Sequence, residues 1–452
     1  MKKKEGNSAE ASVANIYQLE GRVPLSKAIP FGLQHVLAMF ISNMTPLIIL
    51  TGIATYQGLP FTNVEVARLL QNCMIVAGIG TLIQLYPVWK IGSGLPIVMG
   101  ASFAFLGTCQ VLAVQGYDVM IGAIIVGGLF EGVLGLTVKY WKKFISPILS
   151  ACVVVTIGLS ILKTGVQSFG TSGAYPMGAP QNLIVGLFTL VVALAFHALM
   201  KGPMKQLYVI VGLLAGFLFS LCFKMVDFSV FGETIAEVGW ISLPRLFHYK
   251  PTFRIDAIIS LAVVFIVSAV ETIGDTTAVC TGGLGRDITE KEVSGSLVCD
   301  GVLSAISGGI FGCSPTTSFS QNVGLISMTH VVNRFCIMCG AVILVLAGLF
   351  PPIGAVFTLV PNCVLGGCTV IMFGSIVLSG IKMMHSAGLN NRNTLIAATS
   401  LCLGIGVTQV TGFFDYMPKI IGNIFAGNMV AGVFVVGLVM ELCLPKDPAK
   451  FE

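Results

Sequence analysis

The sequence predicts an all-α polytopic membrane protein with 14 transmembrane segments, arranged as two inverted repeats of seven spans. Composition is the first observation behind this prediction. Of 452 residues, 55% are hydrophobic and 10% are charged, whereas roughly 25% are charged in an ordinary soluble domain. The 53 glycines suit helices that pack closely in lipid. This composition excludes a soluble fold.

Long apolar runs are the second observation. A run of about 20 apolar residues is long enough to cross a hydrocarbon core of roughly 30 Å. Fourteen runs meet this requirement, at 28–51, 67–88, 96–114, 118–137, 145–163, 182–200, 206–224, 255–280, 293–311, 314–330, 335–351, 354–381, 393–412 and 424–443.

The distribution of basic residues predicts the orientation. Threading the fourteen runs alternately through a membrane places 18 of the 25 Lys and Arg residues on one side and seven on the other. Cytoplasmic loops are the ones enriched in Lys and Arg. We therefore expect a plasma (inner) membrane protein with both termini in the cytoplasm. The basic residues form no stripe of the kind that binds nucleic acid.

The position of the long polar interruption is the third observation. Residues 225–254 separate seven spans from seven spans, and an odd number makes the second half enter from the opposite face. The third span of each half is irregular, with Pro96 and Pro315 each preceding a Ser-Phe pair. Irregular backbone at membrane depth requires a protein or cavity cover. We predict short extended stretches in spans 3 and 10, each leading into a half-helix whose N-terminus points to a common site.

Two acids lie within the apolar stretch of span eight. Glu271 and Asp275 are four residues apart, so a helix presents both carboxyl groups on one face. An acid at membrane depth is costly and is usually functional. The alternative is that one of them is a structural acid hydrogen-bonded to the half-helices.

Other polar and aromatic residues flank the irregular stretches. Gln321 can recognise a carbonyl and an adjacent N–H together, because an amide both donates and accepts. Asn322 can contact the ligand in the same way, or it can instead cap its half-helix or brace the other broken span. Phe103 can stack on a flat ligand, although an aromatic in a span is usually packing. In span one, His35 beside Gln34 is more often a structural hydrogen-bonding residue than a ligand.

No enzyme motif is present. The sequence contains no nucleophile elbow, Walker loop or HExxH pattern, and its 13 cysteines lack zinc-type spacing. We therefore expect no enzymatic activity, metal or cofactor. Because no nucleotide site is present, we expect an ion gradient to supply the energy for transport. The acids of span eight are then the proton carriers, and sodium is less favoured because no sodium cage is evident.

Four motifs resemble the nucleobase-ascorbate transporter family, the second class of nucleobase-cation symporters. Residues 321–324, Gln-Asn-Val-Gly, with Thr329 resemble its signature Gln/Glu-Asn-x-Gly-x4-Thr. Residues 34–35, 102–103 and 271–275 resemble its other motifs, in the same order along the chain. The signature usually ends in Arg, Lys or Gly where this chain has another residue, His330. That departure is expected to affect gating or selectivity.

The resemblance implies an elevator-like transporter with a core domain and a gate domain, commonly dimeric through the gate. The core takes spans 1–4 and 8–11, and the gate takes spans 5–7 and 12–14. The implied divisions are a cytoplasmic N-terminal arm at 1–27, core segments at 28–137 and 255–351, gate segments at 138–254 (with the external loop) and 352–443, and a cytoplasmic tail at 444–452.

The resemblance also implies roles for individual residues. Glu271 and Gln321 would bind the base and Phe103 would stack on it, with Ser102 and Ser320 completing the substrate-binding set. The supporting and proton-coupling residues would be Asp275, His35, Asn322 and Gln34.

The substrate implied is a purine. Uracil permeases of the family carry Glu in place of Gln321 and His in place of Asp275, so this chain resembles the branch that imports xanthine or uric acid with protons. The rival is an anion channel or exchanger of the sulfate or bicarbonate type on the same fold. Glu271 argues against it, because an acid repels anions.

Overall fold

A computed structural model describes residues 12–142 and 145–445. Parts of three predicted features lie outside the described residues: the beginning of the N-terminal arm (1–11), the basic position Lys143, and the end of the tail (446–452).

Helices make up most of the described chain, as the sequence predicts. Inside lipid a helix satisfies its own backbone hydrogen bonds, so apolar runs of this length fold as helices. The helices are α1 (Leu25–Thr51), α2 (Asn63–Leu85), α3 (Leu106–Gln115), α4 (Tyr117–Leu136), α5 (Val138–Trp141), α6 (Pro147–Phe169), α7 (Pro180–Leu199), α8 (Tyr208–Leu221), α9 (Ser229–Val238), α10 (Ile255–Ala278), α11 (Glu290–Ile306), α12 (Ser320–Thr329), α13 (Arg334–Gly348), α14 (Pro351–Thr358), α15 (Asn362–Ala387), α16 (Asn391–Gln409), α17 (Lys419–Phe425) and α18 (Met429–Cys443).

Several of these helices are long enough to cross a membrane. Within the described ranges, eight are sufficiently long and apolar, or up to ten if each of two bent helix pairs is one span. The runs at 96–114, 206–224 and 314–330 contain the shorter helices α3, α8 and α12. A multi-pass helical membrane protein is therefore confirmed, at a coarser level than the predicted count of fourteen.

Predicted boundaries differ from the structure at both bent helix pairs. The run at 424–443 begins inside α17, which is bent by 103° relative to α18. The run at 354–381 begins inside α14, which is bent by 74° relative to α13 and is separated from α15 by a break that contains Pro361. A residue that precedes proline avoids the helical conformation, so one continuous helix is disfavoured there. The interruption at 225–254 also contains the helix α9, which buries Thr234 and Val238.

The two extended stretches are confirmed, and they pair with each other. Strand β3 (Met99–Ala101) lies antiparallel to β4 (Thr316–Ser318), with the first residue of each opposite the last residue of the other. A 3₁₀ turn (Phe103–Phe105) and α3 follow β3, and α12 follows β4 almost directly. A separate short pair, β1 (Thr55–Tyr56) and β2 (Leu59–Pro60), forms a hairpin between α1 and α2.

Side chains from three helices complete the hydrogen bonding at the outer edges of the β3–β4 pair. The N–H of the first β3 residue donates to Thr81 Oγ1 (2.9 Å), and that of the last donates to Asn43 Oδ1 (2.7 Å). On the other edge, Ser304 Oγ accepts from Thr316 N (3.0 Å) and donates to its carbonyl oxygen (2.9 Å). These bonds provide buried partners for three strand-edge N–H groups and one carbonyl group, which helps the pair to stay buried among apolar helices.

The helices pack in two sets. In one set α4 packs on α10 and α11, while α13 packs on α1 and α2. In the other, α6 packs on α15, α7 on α8, and α16 on α18. Glycine permits the closest approaches: a methyl group on Gly301 would lie 2.3 Å from the nitrogen of Gly132. The strand pair lies with the first set.

We predict that Asn43→Ala destabilises the protein, because it leaves the Ala101 N–H buried without an acceptor. An orphaned buried donor costs about 1–3 kcal/mol, so the thermal unfolding midpoint in detergent should fall. Asn391→Ala, at an exposed position at the start of α16, is the matched control. Equal midpoints for the two variants would show that Asn43 does not stabilise the strand pair.

Candidate functional site

A cavity of about 400 Å³ lies where the two broken segments meet α6, α10 and α15. All five residues predicted to bind substrate line it: Glu271, Gln321, Phe103, Ser102 and Ser320. They come from three separate parts of the chain. The strand pair brings two of these parts together, and α10 supplies the third.

Two helix beginnings face this region. Gln321 is the second residue of α12, and Phe103 opens the 3₁₀ turn that precedes α3. The Ser102 hydroxyl accepts from the N–H of Ala104 (3.2 Å) and so caps that turn. The first N–H groups of a helix have no partner within the helix and carry the positive end of its dipole. They suit the carbonyl oxygens of a small polar ligand.

The two acids of α10 have different surroundings. Oε2 of Glu271 is buried without a hydrogen-bond partner, and this side chain lines the cavity. Asp275 instead accepts from the hydroxyl groups of Ser318 and Ser320, both at 2.9 Å. Glu271 is therefore available to a ligand or a proton. Asp275 fastens the end of β4 and the start of α12 to α10, which is the structural alternative weighed for one of the two acids.

The predicted supporting residues of α1 and α12 lie outside the cavity lining. His35 is buried, and Asn322 donates through Nδ2 to its carbonyl oxygen (3.2 Å). The same Nδ2 lies 3.4 Å from His35 Nδ1. Asn322 thus braces α12 to α1 rather than to the other broken span. Asn43 braces that span, and Gln34 is half-buried beside His35.

The Phe103 ring both packs and lines the cavity. It meets Phe373 of α15 edge to face, with 5.4 Å between ring centroids. The contact joins the strand-bearing set of helices to the other set, so Phe103 lies at the boundary between them. A flat ligand in the cavity can contact the ring there.

The cavity leads toward one end of the molecule. Ser379 and Lys382 of α15 line it and also line a second cavity of about 670 Å³, which reaches Lys142. This is the side that the distribution of basic residues predicts to be cytoplasmic. A third cavity, of about 510 Å³, is lined by Lys224 and Asp227 and by none of the predicted site residues.

Two further buried acids, Asp300 of α11 and Glu131 of α4, were not among the predicted site residues. Asp300 Oδ2 accepts from Thr317 Oγ1 of β4 (2.9 Å) and from the Thr272 hydroxyl, next to Glu271 in α10. Both acids occur inside predicted apolar runs. The same cost of an acid at membrane depth that singled out Glu271 could have found them.

Comparison with known proteins establishes the family. The model of the Permease family matches residues 26–413. The chain belongs to this family. The xanthine permease XanQ of Escherichia coli (strain K12) is 32% identical over 449 residues, which cover 95% of this chain and 94% of that protein. The uric acid permease PucK of Bacillus subtilis (strain 168) is 32% identical over 406 residues, covering 89% and 92%. The resemblance drawn from the four motifs is confirmed.

Solved structures show the same fold at low sequence identity. The transmembrane domain of the cyanobacterial bicarbonate transporter BicA aligns with a TM-score of 0.52 and 13% identity, covering 93% of this chain and 98% of that one. SLC26A9 aligns with a TM-score of 0.59 and 12% identity, covering 92% and 64%. These likenesses concern the fold alone.

Proposed function

We propose that this permease is a secondary active transporter that imports a purine base, xanthine and/or uric acid, by symport with protons. One observation carries the proposal: Glu271, Gln321 and Phe103 line a single cavity. The names of the relatives, xanthine permease and uric acid permease, support the choice of a purine.

The lining suits an oxidised purine. Such a base has a flat ring system whose edge alternates N–H groups with carbonyl oxygens. Gln321 can donate to a carbonyl and accept from an N–H, Glu271 can accept from a ring N–H, and Phe103 can stack on the ring. The free N–H groups at the start of α12 add donors for a second carbonyl.

Glu271 couples the binding of substrate to the binding of a proton. Its unpartnered oxygen lies at the cavity, so the same carboxyl group can hold a proton and hydrogen-bond the base. Occupancy by one then alters occupancy by the other through a single residue. Asp275, held by two serine hydroxyl groups, fixes the α12 start one helical turn away.

The proposed movement is elevator-like. The core would comprise 28–137 and 255–351, and the gate 138–254 and 352–443, with a homodimer formed through the gate in the cell membrane. The division of the helices into two packed sets, with the cavity between them, supports this movement. In the proposed orientation, the Lys142 and Lys382 end faces the cytoplasm, so the substrate cavity is open inward.

The rival function is anion transport, since the fold is shared with a bicarbonate transporter. An acid with a free oxygen in the cavity opposes a small inorganic anion unless it is protonated, whereas a purine also offers N–H groups to that oxygen. Xanthine uptake that sulfate and bicarbonate do not inhibit is the expected result.

We predict that Gln321→Glu changes base preference without preventing folding. The substitution keeps the shape of the side chain but replaces an amide, which donates and accepts, with a carboxyl group. Affinity should fall for xanthine and urate relative to uracil, measured by competition for radiolabelled uptake. Gln115→Glu, at the exposed end of α3, is the control. Unchanged relative affinities across all bases would exclude contact between Gln321 and the base.

Glu271→Gln should abolish proton-driven accumulation while the protein reaches the membrane at normal levels, because an amide cannot ionise. With one coupled proton, an imposed gradient of one pH unit supports up to about tenfold accumulation. In proteoliposomes we expect the wild type to approach this ratio and Glu271→Gln only to equilibrate. Glu290→Gln, exposed at the start of α11, should behave as wild type. Undiminished accumulation by Glu271→Gln would assign coupling to another residue.

A further inference from the structure

We propose that Glu131 and Asp300 form a second proton-binding site, which holds one shared proton behind the strand pair and keeps the purine site assembled. The inference rests on the proposed function only for its binding readout. Neither residue lines the substrate cavity, so their role is to position other residues rather than to touch the base.

Close helix packing brings the two acids together. Glycines on α4 and α11 remove the side chains between the helices: a methyl group on Gly301 would lie 2.5 Å from the carbonyl oxygen of Gly128 and 2.9 Å from the carbonyl carbon of Glu131. Asp300 immediately precedes Gly301. Both acidic side chains are fully buried, with 0% exposure, and they act on each other electrostatically.

Three carboxyl oxygens of this pair have no hydrogen-bond donor: both oxygens of Glu131, and Oδ1 of Asp300. Few hydroxyl protons are nearby. Those of Thr272 and Thr317 go to Asp300 Oδ2, and that of Ser268, which also lies within reach of Glu131, is 3.4 Å from Thr317 Oγ1. Each hydroxyl group has one proton to donate, so Ser268 can serve at most one of the three oxygens, and at least two need another donor.

The charges that face the pair are acidic. Glu271 of α10 acts on Glu131, Asp275 of α10 acts on Asp300, and Asp300 in turn acts on the Cys299 thiol of α11. Of the other elements packed on α4, α3 carries Cys109, β1 carries Tyr56, and the π turn Ser307–Phe311 carries no ionisable side chain. Two further elements pack on α11: α2, which carries Glu65, Arg68 and Cys73, and α5, which carries Lys139 and Tyr140. No Lys, Arg or His of the described residues compensates Glu131.

A proton is the occupant that these observations favour. Two fully buried carboxylates on closely packed helices, with no cation beside them, are costly to keep ionised together, and a buried charge without a partner is strongly destabilising. A proton on one acid neutralises it and supplies a donor to the other. A metal ion is disfavoured, because the described residues contain no group of three or more His, Cys, Asp or Glu side chains arranged to hold one.

The pair is connected to the substrate site through hydroxyl groups. Asp300 holds Thr317 in β4 and Thr272 beside Glu271, and β4 leads into Ser320 and Gln321. Loss of the shared proton at high pH leaves two adjacent carboxylates, which repel each other and pull on these contacts. Purine affinity should then fall as pH rises.

The Glu131→Gln variant distinguishes between two roles of the pair, sharing a proton and serving only as buried structural acids. Its amide is a permanent donor to Asp300, so the variant imitates the protonated pair at every pH. In purified protein, we expect purine affinity of wild type and Glu131→Gln to agree at acidic pH. At alkaline pH the Kd of the wild type should rise relative to the variant by up to about tenfold per pH unit, the limit for one proton. Ionisation of the base itself is common to both proteins.

Infrared difference spectra give a second readout that does not depend on binding. With Glu271→Gln as the background, which removes the band of that acid, the carbonyl stretching band of a protonated carboxylic acid should be present, lost at high pH, and absent when Glu131→Gln is added. Glu233→Gln, the same change at an exposed position of α9, should retain the wild-type band and pH profile. If Glu131→Gln does not assemble, Asp300→Asn gives the same spectral test.

Three results would overturn the inference. The first is a ratio of wild-type Kd to Glu131→Gln Kd that stays constant within about twofold across pH. The second is a carboxylic acid band that remains in both Glu131→Gln and Asp300→Asn. The third is purine binding that depends on sodium in the wild type but not in Glu131→Gln. If the wild type binds no purine, the proposed function fails, and the infrared band still decides whether the pair holds a proton.

Discussion

The β3–β4 pair is the constraint on which the rest of the site depends. Backbone polar groups at membrane depth must find partners within the protein, and a strand of three residues cannot supply its own. Pairing satisfies the inner edges, while Thr81, Asn43 and Ser304 provide partners at the outer ones. Three helices therefore fix where α3 and α12 begin. Those helix beginnings supply Phe103 and Gln321 to the cavity.

The four acids near the strand pair differ in the hydroxyl groups that donate hydrogen bonds to them. Asp275 is held by Ser318 and Ser320, and Asp300 by two threonines. Glu271, Glu131 and Asp300 each keep at least one unpartnered oxygen, but only Glu271 lines the cavity. The donors around each carboxyl group therefore underlie the roles proposed for it: substrate binding, fixing a helix or holding a proton.

The sequence predicted those features that depend on local composition. Apolar length predicted the helices, and Pro96 and Pro315, with the polar residues after Pro315, predicted the two extended stretches. It did not predict that the stretches pair with each other, because strand pairing between distant segments is decided by tertiary packing. The partner of Asn322 was missed for the same reason, since His35 meets it only when α1 packs on α12. Asp300 and Glu131 could have been noticed as acids inside apolar runs, but the sequence could not show that α4 and α11 bring them near each other at Gly301.

The central claim is that one cavity between Phe103, Glu271 and Gln321 selects a purine. Competition for uptake tests it most directly: radiolabelled xanthine is offered to cells expressing the protein, with unlabelled urate, uracil or sulfate in excess. The account predicts saturable xanthine uptake that urate inhibits strongly, uracil weakly and sulfate not at all. Inhibition by sulfate, or no saturable uptake of xanthine or urate, would contradict it.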